Sequence, residues 1–502
     1  MEKLGIIDIG SNSVRLVLSQ INESGSFHII DEIKETIRLG EDVEISGELS
    51  EDKIQKTIKT LDSFKNICEA LKVEKVIIVA TEAVRTANNK ESFLNKVKEK
   101  VNVDIRVLSG EEEADYDCMA VINSIYTKNS LMMDIGGSSI ELAWIKDNIV
   151  KERLSLPFGA VNLTRRFGVE DVVTPQNDDD LKRFLKNEFE KISWLFQTKF
   201  DNLIGIGGSI RNIGKIDRKR KKYPLDIAHN YTMDSSAVHD IYHLVKSKSL
   251  KQRMKIEGLS SERADIFVAA VSSLNVIIDL LKIDNMVVSG KGLREGVLYE
   301  HIKDNYKPKE DILESSIEGV LESHYINRDH AYNVYRLTDK LFDDLKSLHH
   351  LDDSFKNILK TGAILHDCGI SIRYYNHHKH SFYILMNSHI NGLTHKELVM
   401  SAYASAYHRN NDFDISICQF SGIINQLDVL NIKRIGVLLR IAEGLDRTML
   451  KSVTNINTVI EKDSVTLKLT SSRDIDLEIN EALKATDKFN QIYNKKLFIV
   501  KE

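Results

Sequence analysis

The first half of the chain alternates short apolar runs with amphipathic stretches. Residues 4–9 read as a buried strand and residues 13–21 as a second, with a third and a fourth expected over 27–33 and 35–39. Apolar positions at Ile54, Ile58, Leu61, Ile67 and Leu71 mark one face of a helix. Residues 75–80 predict another strand, followed by a helix to about Lys100. Residues 103–108 predict a further strand, followed by a helix to about Tyr126. Strands first, then strands alternating with helices, is an α/β layout.

The pattern changes at Pro308, one of only four prolines, which sits in the polar stretch 304–311 and makes that stretch the natural linker. Beyond it the chain reads as almost entirely helical to about Leu450. The last fifty or so residues turn strand-like again over 453–460 and 464–469, which predicts a small α+β cap. The expected domains are 1–126, 127–305, 306–450 and 451–502, within the three to four that about 500 residues allow.

An internal repeat decides the architecture of the first half. Ile6-Ile-Asp-Ile-Gly-Ser-Asn-Ser-Val-Arg-Leu16 matches Met132-Met-Asp-Ile-Gly-Gly-Ser-Ser-Ile-Glu-Leu142. Each copy is an apolar strand, an Asp, a Gly, a small polar turn and a second strand. A weaker copy, Leu203–Arg211, lacks the Asp, and a further Gly-rich strand end lies at Met286–Arg294. Two similar domains with facing Asp-x-Gly hairpins imply a cleft between them.

Composition narrows the partners. With 42% hydrophobic and 28% charged residues and a net charge of −5, the chain has no global signature of nucleic-acid or membrane binding. A polyanion ligand would need locally concentrated cations. The four cysteines, Cys68, Cys118, Cys368 and Cys418, form no CxxC pair, and no apolar run has the length of a signal peptide or membrane span. The expectation is a reducing, cytoplasmic setting.

The turns suggest the chemistry. Gly10-Ser11-Asn12-Ser13 and Gly136-Gly137-Ser138-Ser139 can present backbone amides and hydroxyls as an anion nest, and Gly207-Gly208-Ser209 offers a weaker third. Ordinary tight hairpins use the same residues, but two copies with Asp at the same offset favour phosphate. Asp8 and Asp134 beside such nests point to a divalent cation such as Mg²⁺, which Glu141 can join. In Ser109-Gly-Glu-Glu-Glu-Ala114, Ser109 and Glu112 fit a capping box. Spacing alone leaves Glu111 and Glu113 both open as a base facing the cleft. Arg85 is a candidate fork donor to phosphate, with a surface ion pair as its plain alternative. The densest basic run, Arg218, Lys219, Arg220, Lys221 and Lys222, reads either as a solvated face or as a polyanion track.

At these residues the chain resembles the exopolyphosphatase/guanosine pentaphosphate phosphohydrolase family of the actin-like ATPase superfamily. The segments IDIGSNSVRL, ATEAVRTANNKESFL, SGEEEA, MDIGGSSIEL, IGIGGSIRNI, GLSSER and GLREGVLYE carry the resemblance across the first three-fifths of the chain. It implies a duplicated actin-like (RNase H-like) core, Glu113 as catalytic base, Arg85 on phosphate, Asp134 and Glu141 as magnesium-associated acids, and two-fold association. Ser138 departs from the family's usual third glycine, and a retained site with a narrower loop is expected. The helical region resembles the HD-type domain of longer members. There His330, His366-Asp367 and Asp446 stand where an H…HD…D metal set would, with His377-His-Lys-His380 nearby. Such domains in this family often lack known activity, so the expectation is a packing domain with little or no stoichiometric transition metal. The activity implied is release of terminal phosphate from linear polyphosphate. The rivals are guanosine pentaphosphate hydrolysis, a kinase or ATPase of the same superfamily, and a non-enzymatic sensor of polyphosphate or nucleotide.

Overall fold

The computed structural model describes residues 1–409 and 417–502, which form two compact units, Met1–Pro308 and Lys309–Glu502. In the first unit, β1 (Glu2–Ile9), β2 (Ser13–Ile21), β3 (Phe27–Thr36), β4 (Lys75–Ala80) and β5 (Arg106–Val107) make one sheet in the order β3-β2-β1-β4-β5. A second sheet contains β6 (Asn129–Ile135), β7 (Ile140–Lys146), β8 (Ile149–Leu156), β9 (Asn202–Ile206), β10 (Tyr231–Asp234) and β11 (Asn285–Val288), in the order β10-β11-β9-β6-β7-β8.

The two sheets repeat one plan. In each, a hairpin extends into a third antiparallel strand on one side, while its first strand pairs in parallel with a later strand on the other. The registers also match: Asp8 lies opposite Arg15, and Asp134 opposite Glu141. β1 and β6 read as unbroken apolar runs because both of their faces are covered. Ile7 and Ile9 pack with Ile54, Ile58 and Leu61, whereas Leu4 and Ile6 pack with Leu108, Val297 and Leu298 on the other face.

The expected third and fourth strands are one strand, Phe27–Thr36. Its charged residues lie on an exposed edge where backbone pairing with β2 continues through a register shift at Leu18/Ser19. The strand expected over 103–108 shortens to Arg106–Val107. In helix Glu51–Ala70 the buried stripe runs through Phe64 and Cys68, with Leu71 exposed at the C-cap. Helices Gly110–Ile122 and Leu293–Asn305 pack closely because a Cβ at Gly296 would fall 2.0 Å from the Tyr116 carbonyl oxygen. That contact fixes the helix whose first turn reaches the cleft.

The second unit is helical up to Leu445. It then adds a three-stranded sheet of β12 (Asn455–Ile460), β13 (Ser464–Thr470) and β14 (Lys496–Lys501), with helices Asp476–Leu483 and Thr486–Tyr493 between the last two strands. Helix Gln426–Leu445 meets Asp476–Leu483 at Gly444, where a Cβ would collide with the Ala482 backbone. Among the described residues, no helix is long and apolar enough to cross a membrane.

Candidate active site

A cavity of about 550 Å³ in the first unit is lined by both hairpin turns and by the ends of the surrounding helices. Each turn closes with the same bond: the Gly10 amide donates to the Ser13 carbonyl at 3.1 Å, and the Gly136 amide to the Ser139 carbonyl at 3.0 Å. The carbonyls are held from behind. Asn12 accepts from the Ile37 and Arg38 amides, Ser11 from Gly40, and Gly136 and Gly137 from Ala160 and Val161. What the turns can offer a ligand is therefore their amides and hydroxyls. They face each other, since a Cβ at Gly137 would lie 3.4 Å from the Ser11 side chain. Ser138 lines the cavity, with its carbonyl accepting from the Asn162 amide group at 3.2 Å.

Gly207 and Gly208 open helix Gly207–Arg220 at the cavity wall. Gly207 has φ 88°, and a Cβ there would strike the Asp134 carboxylate. Ser209, expected in this third nest, is fully buried and does not line the cavity, because the helix turns its side chain inward.

The acidic triplet separates by direction around one helical turn. Glu112 forms the capping box with Ser109 and pairs with Arg106, and Glu111 is exposed. Glu113 lines the cavity. Burial raises the Glu113 carboxyl; Arg85 pulls it back and the Asp8 and Asp134 charges add to the rise, leaving it at about 7. Glu141 is pushed by burial, and then by Glu113 and Asp134, to about 8.

Asp134 and Glu141 gather with Asp117, their ligand oxygens lying within 4.8 Å of one another. Asp8, expected among the metal acids, stands instead beside Arg15 and Arg294 in the facing hairpin's half of the cavity. One carboxyl oxygen each of Asp117 and Asp134 is buried without a hydrogen-bond partner. Asp117 is missing from the sequence reading, although it sits one turn after Glu113 on the same helix, a spacing that places both on one face.

Arg85 does not line the cavity. Its guanidinium donates to Glu113, to Glu82 and, at 2.6 Å, to the Leu108 carbonyl. In this structure the guanidinium expected as a phosphate fork is engaged by Glu113 and Glu82. The cationic lining comes from Arg15, Arg38, Arg165, Arg211, Arg263, Lys291 and Arg294. Burial, followed by the Arg211 and Arg15 charges, pushes Arg263 down to about 10. Arg15, Arg211, Arg263 and Arg294 lie inside the resembling segments, but no spacing rule singled them out.

The basic run also needs correcting. Arg218 is buried, with its guanidinium over the Tyr231 ring and 3.6 Å from Asp226, so it cannot belong to a surface track. Lys221 pairs with Asp217 at 2.9 Å. Arg218, Lys219 and Arg220 occupy the last turn of the helix that begins at the cavity, where cations offset the helix dipole.

In the second unit, His330, His366 and Asp367 come together in the interior, joined by His377, His408 and Glu443. Asp446 does not join the ligand triads; it accepts from His330 Nδ1 at 2.8 Å. Glu443 lies three residues before Asp446 on the same helical segment, and His408 follows a helix with no motif to mark it.

A duplicated actin-like core with facing Gly/Ser turns, a buried glutamate and converging arginines defines the class: a protein with the Ppx/GppA type of fold. The chain belongs to the Ppx/GppA phosphatase family, matching that family over residues 17–305 and its domain III over residues 312–487. It is 27% identical over 399 residues to the guanosine-5'-triphosphate,3'-diphosphate pyrophosphatase of Photobacterium profundum, covering 77% of this chain and 76% of that one. The Aquifex aeolicus Ppx/GppA crystal structure aligns at 33% identity and TM-score 0.55 over 61% of this chain and 99% of its own. An exopolyphosphatase from Cytophaga hutchinsonii aligns at 25% identity and TM-score 0.57, over 61% and 100%.

Proposed function

We propose that the chain is an exopolyphosphatase that removes the terminal phosphate of linear inorganic polyphosphate. The observation that carries this reading is the placement of Glu113 in a cavity walled by two amide nests and seven cationic side chains. Glu113 accepts the proton of the attacking water, and a value of about 7 suits a base working near neutral pH. The turn amides and hydroxyls hold the equatorial oxygens of the phosphorus under attack. Arg15, Arg211, Arg263 and Arg294 hold the phosphates behind it.

Asp117, Asp134 and Glu141 fit a hard divalent cation such as Mg²⁺, because the set is all oxygen and two of its buried oxygens lack partners. A cation held there would neutralise phosphate oxygens and polarise the phosphorus.

The second reading is hydrolysis of guanosine pentaphosphate, supported by the named Photobacterium relative. Polyphosphate is preferred because the seven cationic side chains of the lining suit a chain that is charged at every unit. The test measures phosphate release from polyphosphate, guanosine pentaphosphate and ATP, with and without Mg²⁺. Faster turnover of guanosine pentaphosphate would replace the first reading with the second, and no release from any substrate would leave a binding protein.

A further inference from the structure

Building on the exopolyphosphatase reading, we infer that a second cavity of the first unit takes the polyphosphate chain as it leaves the candidate active site. Arg165 and Arg166 grip the phosphates there that do not react. This cavity measures about 610 Å³. Helix Ala160–Phe167 and the loop before it form one wall, and Ile45 of helix Leu39–Ser46 stands on the other.

The two cavities are strung along the same pair of helices. From Leu39–Ser46, Gly40 and Glu41 line the first cavity and Ile45 the second. From Ala160–Phe167, Val161 and Thr164 line the first, Leu163 and Arg166 the second, and Arg165 lines both. Glu41 and Ile45 are four residues apart, about 6 Å along a helix axis, so the second cavity begins within about a turn of the first. Asn162 ties its wall to the second Gly/Ser turn. The Asn162 side chain donates to the Ser138 carbonyl at 3.2 Å and accepts from the Gly159 amide at 2.7 Å.

The lining suits an anion. Two guanidiniums line this cavity, and among the described residues no carboxylate does. The remaining walls are mostly apolar, with Phe158, Leu163 and Ile45 among them. Cations of one sign set in walls of low polarity focus their field on an approaching polyanion. Both arginines are exposed. Arg166 is held in place by stacking: its guanidinium carbon lies 4.2 Å from the centre of the Phe184 ring and 5.3 Å from that of Phe167. A guanidinium resting on ring faces keeps its N–H edge for phosphate oxygens. The run at Arg218–Lys222 has neither feature, since it lies at the far end of its helix from the first cavity and includes a buried arginine.

The rival is the plain role of Arg165 and Arg166 in the last turn of their helix, where cations answer the dipole. The test uses the full chain with Mg²⁺. Binding of long-chain polyphosphate and of tripolyphosphate is measured across a range of ionic strength, alongside phosphate release from both. Arg166 lines the second cavity and not the first, so it separates the two sites. Arg166→Gln should weaken long-chain binding about three- to tenfold and lower the slope of log affinity against log salt by about 1. Tripolyphosphate binding should stay as it is. Ile45, 77% exposed, gives a second probe should Arg166→Gln fail to fold. Ile45→Lys should tighten long chains and Ile45→Glu loosen them, each by about two- to fivefold. Wild-type protein that binds long chains no more tightly than tripolyphosphate would overturn the path. An equal loss on both probes would overturn it too, as would a lower melting temperature with long-chain binding unchanged, the outcome of the dipole role. A loss confined to guanosine pentaphosphate would give the cavity to a nucleoside instead. Long-chain binding that depends on Arg166 without any phosphate release would keep the path and overturn the exopolyphosphatase reading.

Discussion

The two hairpins of the first unit share a backbone and differ in charge. Each places an Asp one residue before the end of its first strand, opposite a side chain of the returning strand. In the first hairpin that partner is Arg15; in the second it is Glu141. Asp8 faces Arg294 and Arg15, while Asp134, which has Arg211 and Arg263 near it, also joins Glu141 and Asp117 in an anionic group. A duplicated fold supplies two symmetric nests, and one cross-strand position breaks the symmetry. On the proposed function, that position marks the second hairpin as the one that would hold the cation.

Glu113 stands between these halves and feels both Asp8 and Asp134. The largest effect is therefore expected from Glu113→Gln, which keeps the shape and removes the proton acceptor. Turnover should fall by roughly 10²–10⁴-fold with KM little changed, measured as phosphate release under saturating substrate. Glu111→Gln should be mild; a dead Glu111→Gln would reassign the base.

The hairpin comparison breaks most directly with paired substitutions. Asp134→Asn should raise the Mg²⁺ concentration for half-maximal activity by roughly 10–100-fold, the range seen when a metal's surroundings are weakened. Asp8→Asn should shift it far less. Arg15→Gln should leave the metal requirement alone and raise KM about tenfold, the loss of one charge-assisted hydrogen bond. Equal metal shifts from Asp8→Asn and Asp134→Asn would show that the two lobes share the cation.

Much of this site was legible in sequence because a hairpin is local. Eleven consecutive residues contain the strand, the Asp, the nest and the cross-strand partner, so the repeat reveals them together. The arginines were not legible. Arg211, Arg263 and Arg294 come from distant segments and meet only when the lobes pack. Arg85 shows a different limit: a motif arginine after a strand can pair with carboxylates, here Glu113 and Glu82, and the sequence does not show that pairing. In the second unit, His366-Asp367 was visible as a pair. Glu443 was hidden behind Asp446, a better match to the expected pattern that turns out to orient His330.

The anionic half should also leave a mark on stability. Glu113 and Glu141 sit at about 7 and about 8 against an ordinary value of 4.5, so the folded protein holds more protons than the unfolded chain between those values. Stability in chelator should fall as pH rises from about 4.5 to about 8 and then level as far as these groups are concerned. His330, lifted to about 10 by Asp446 and Glu443 against the pull of burial, adds a loss of the same sign above about 6.5. The readout is therefore the difference between variants. Glu141→Gln should flatten the melting-temperature slope by a few degrees, and Mg²⁺ should flatten it in wild type. Parallel slopes in wild type and Glu141→Gln would mean that Glu141 does not titrate in this window.

The smallest effect is expected at the basic run, where the comparison concerns the two ends of one helix. Helix Gly207–Arg220 starts at the cavity, and its fourteen residues carry Arg218, Lys219 and Arg220 about 20 Å away. At the near end, the amides of Gly207 and Gly208 and the positive pole of the dipole favour an anion. At the far end, the cations answer the negative pole, Lys221 is tied to Asp217, and Arg218 faces inward. Neutralising Lys219, Arg220 and Lys222 together, with Arg218 left to hold the interior, should weaken long-chain polyphosphate binding by less than about twofold. It should also leave the salt dependence nearly unchanged, since few counterions are released there. The cavity cations should behave differently: Arg211→Gln should weaken long and short chains alike. Binding measured against ionic strength for both chain lengths separates the cases. A flattened salt slope confined to long chains would make the far end of the helix part of the polyanion path.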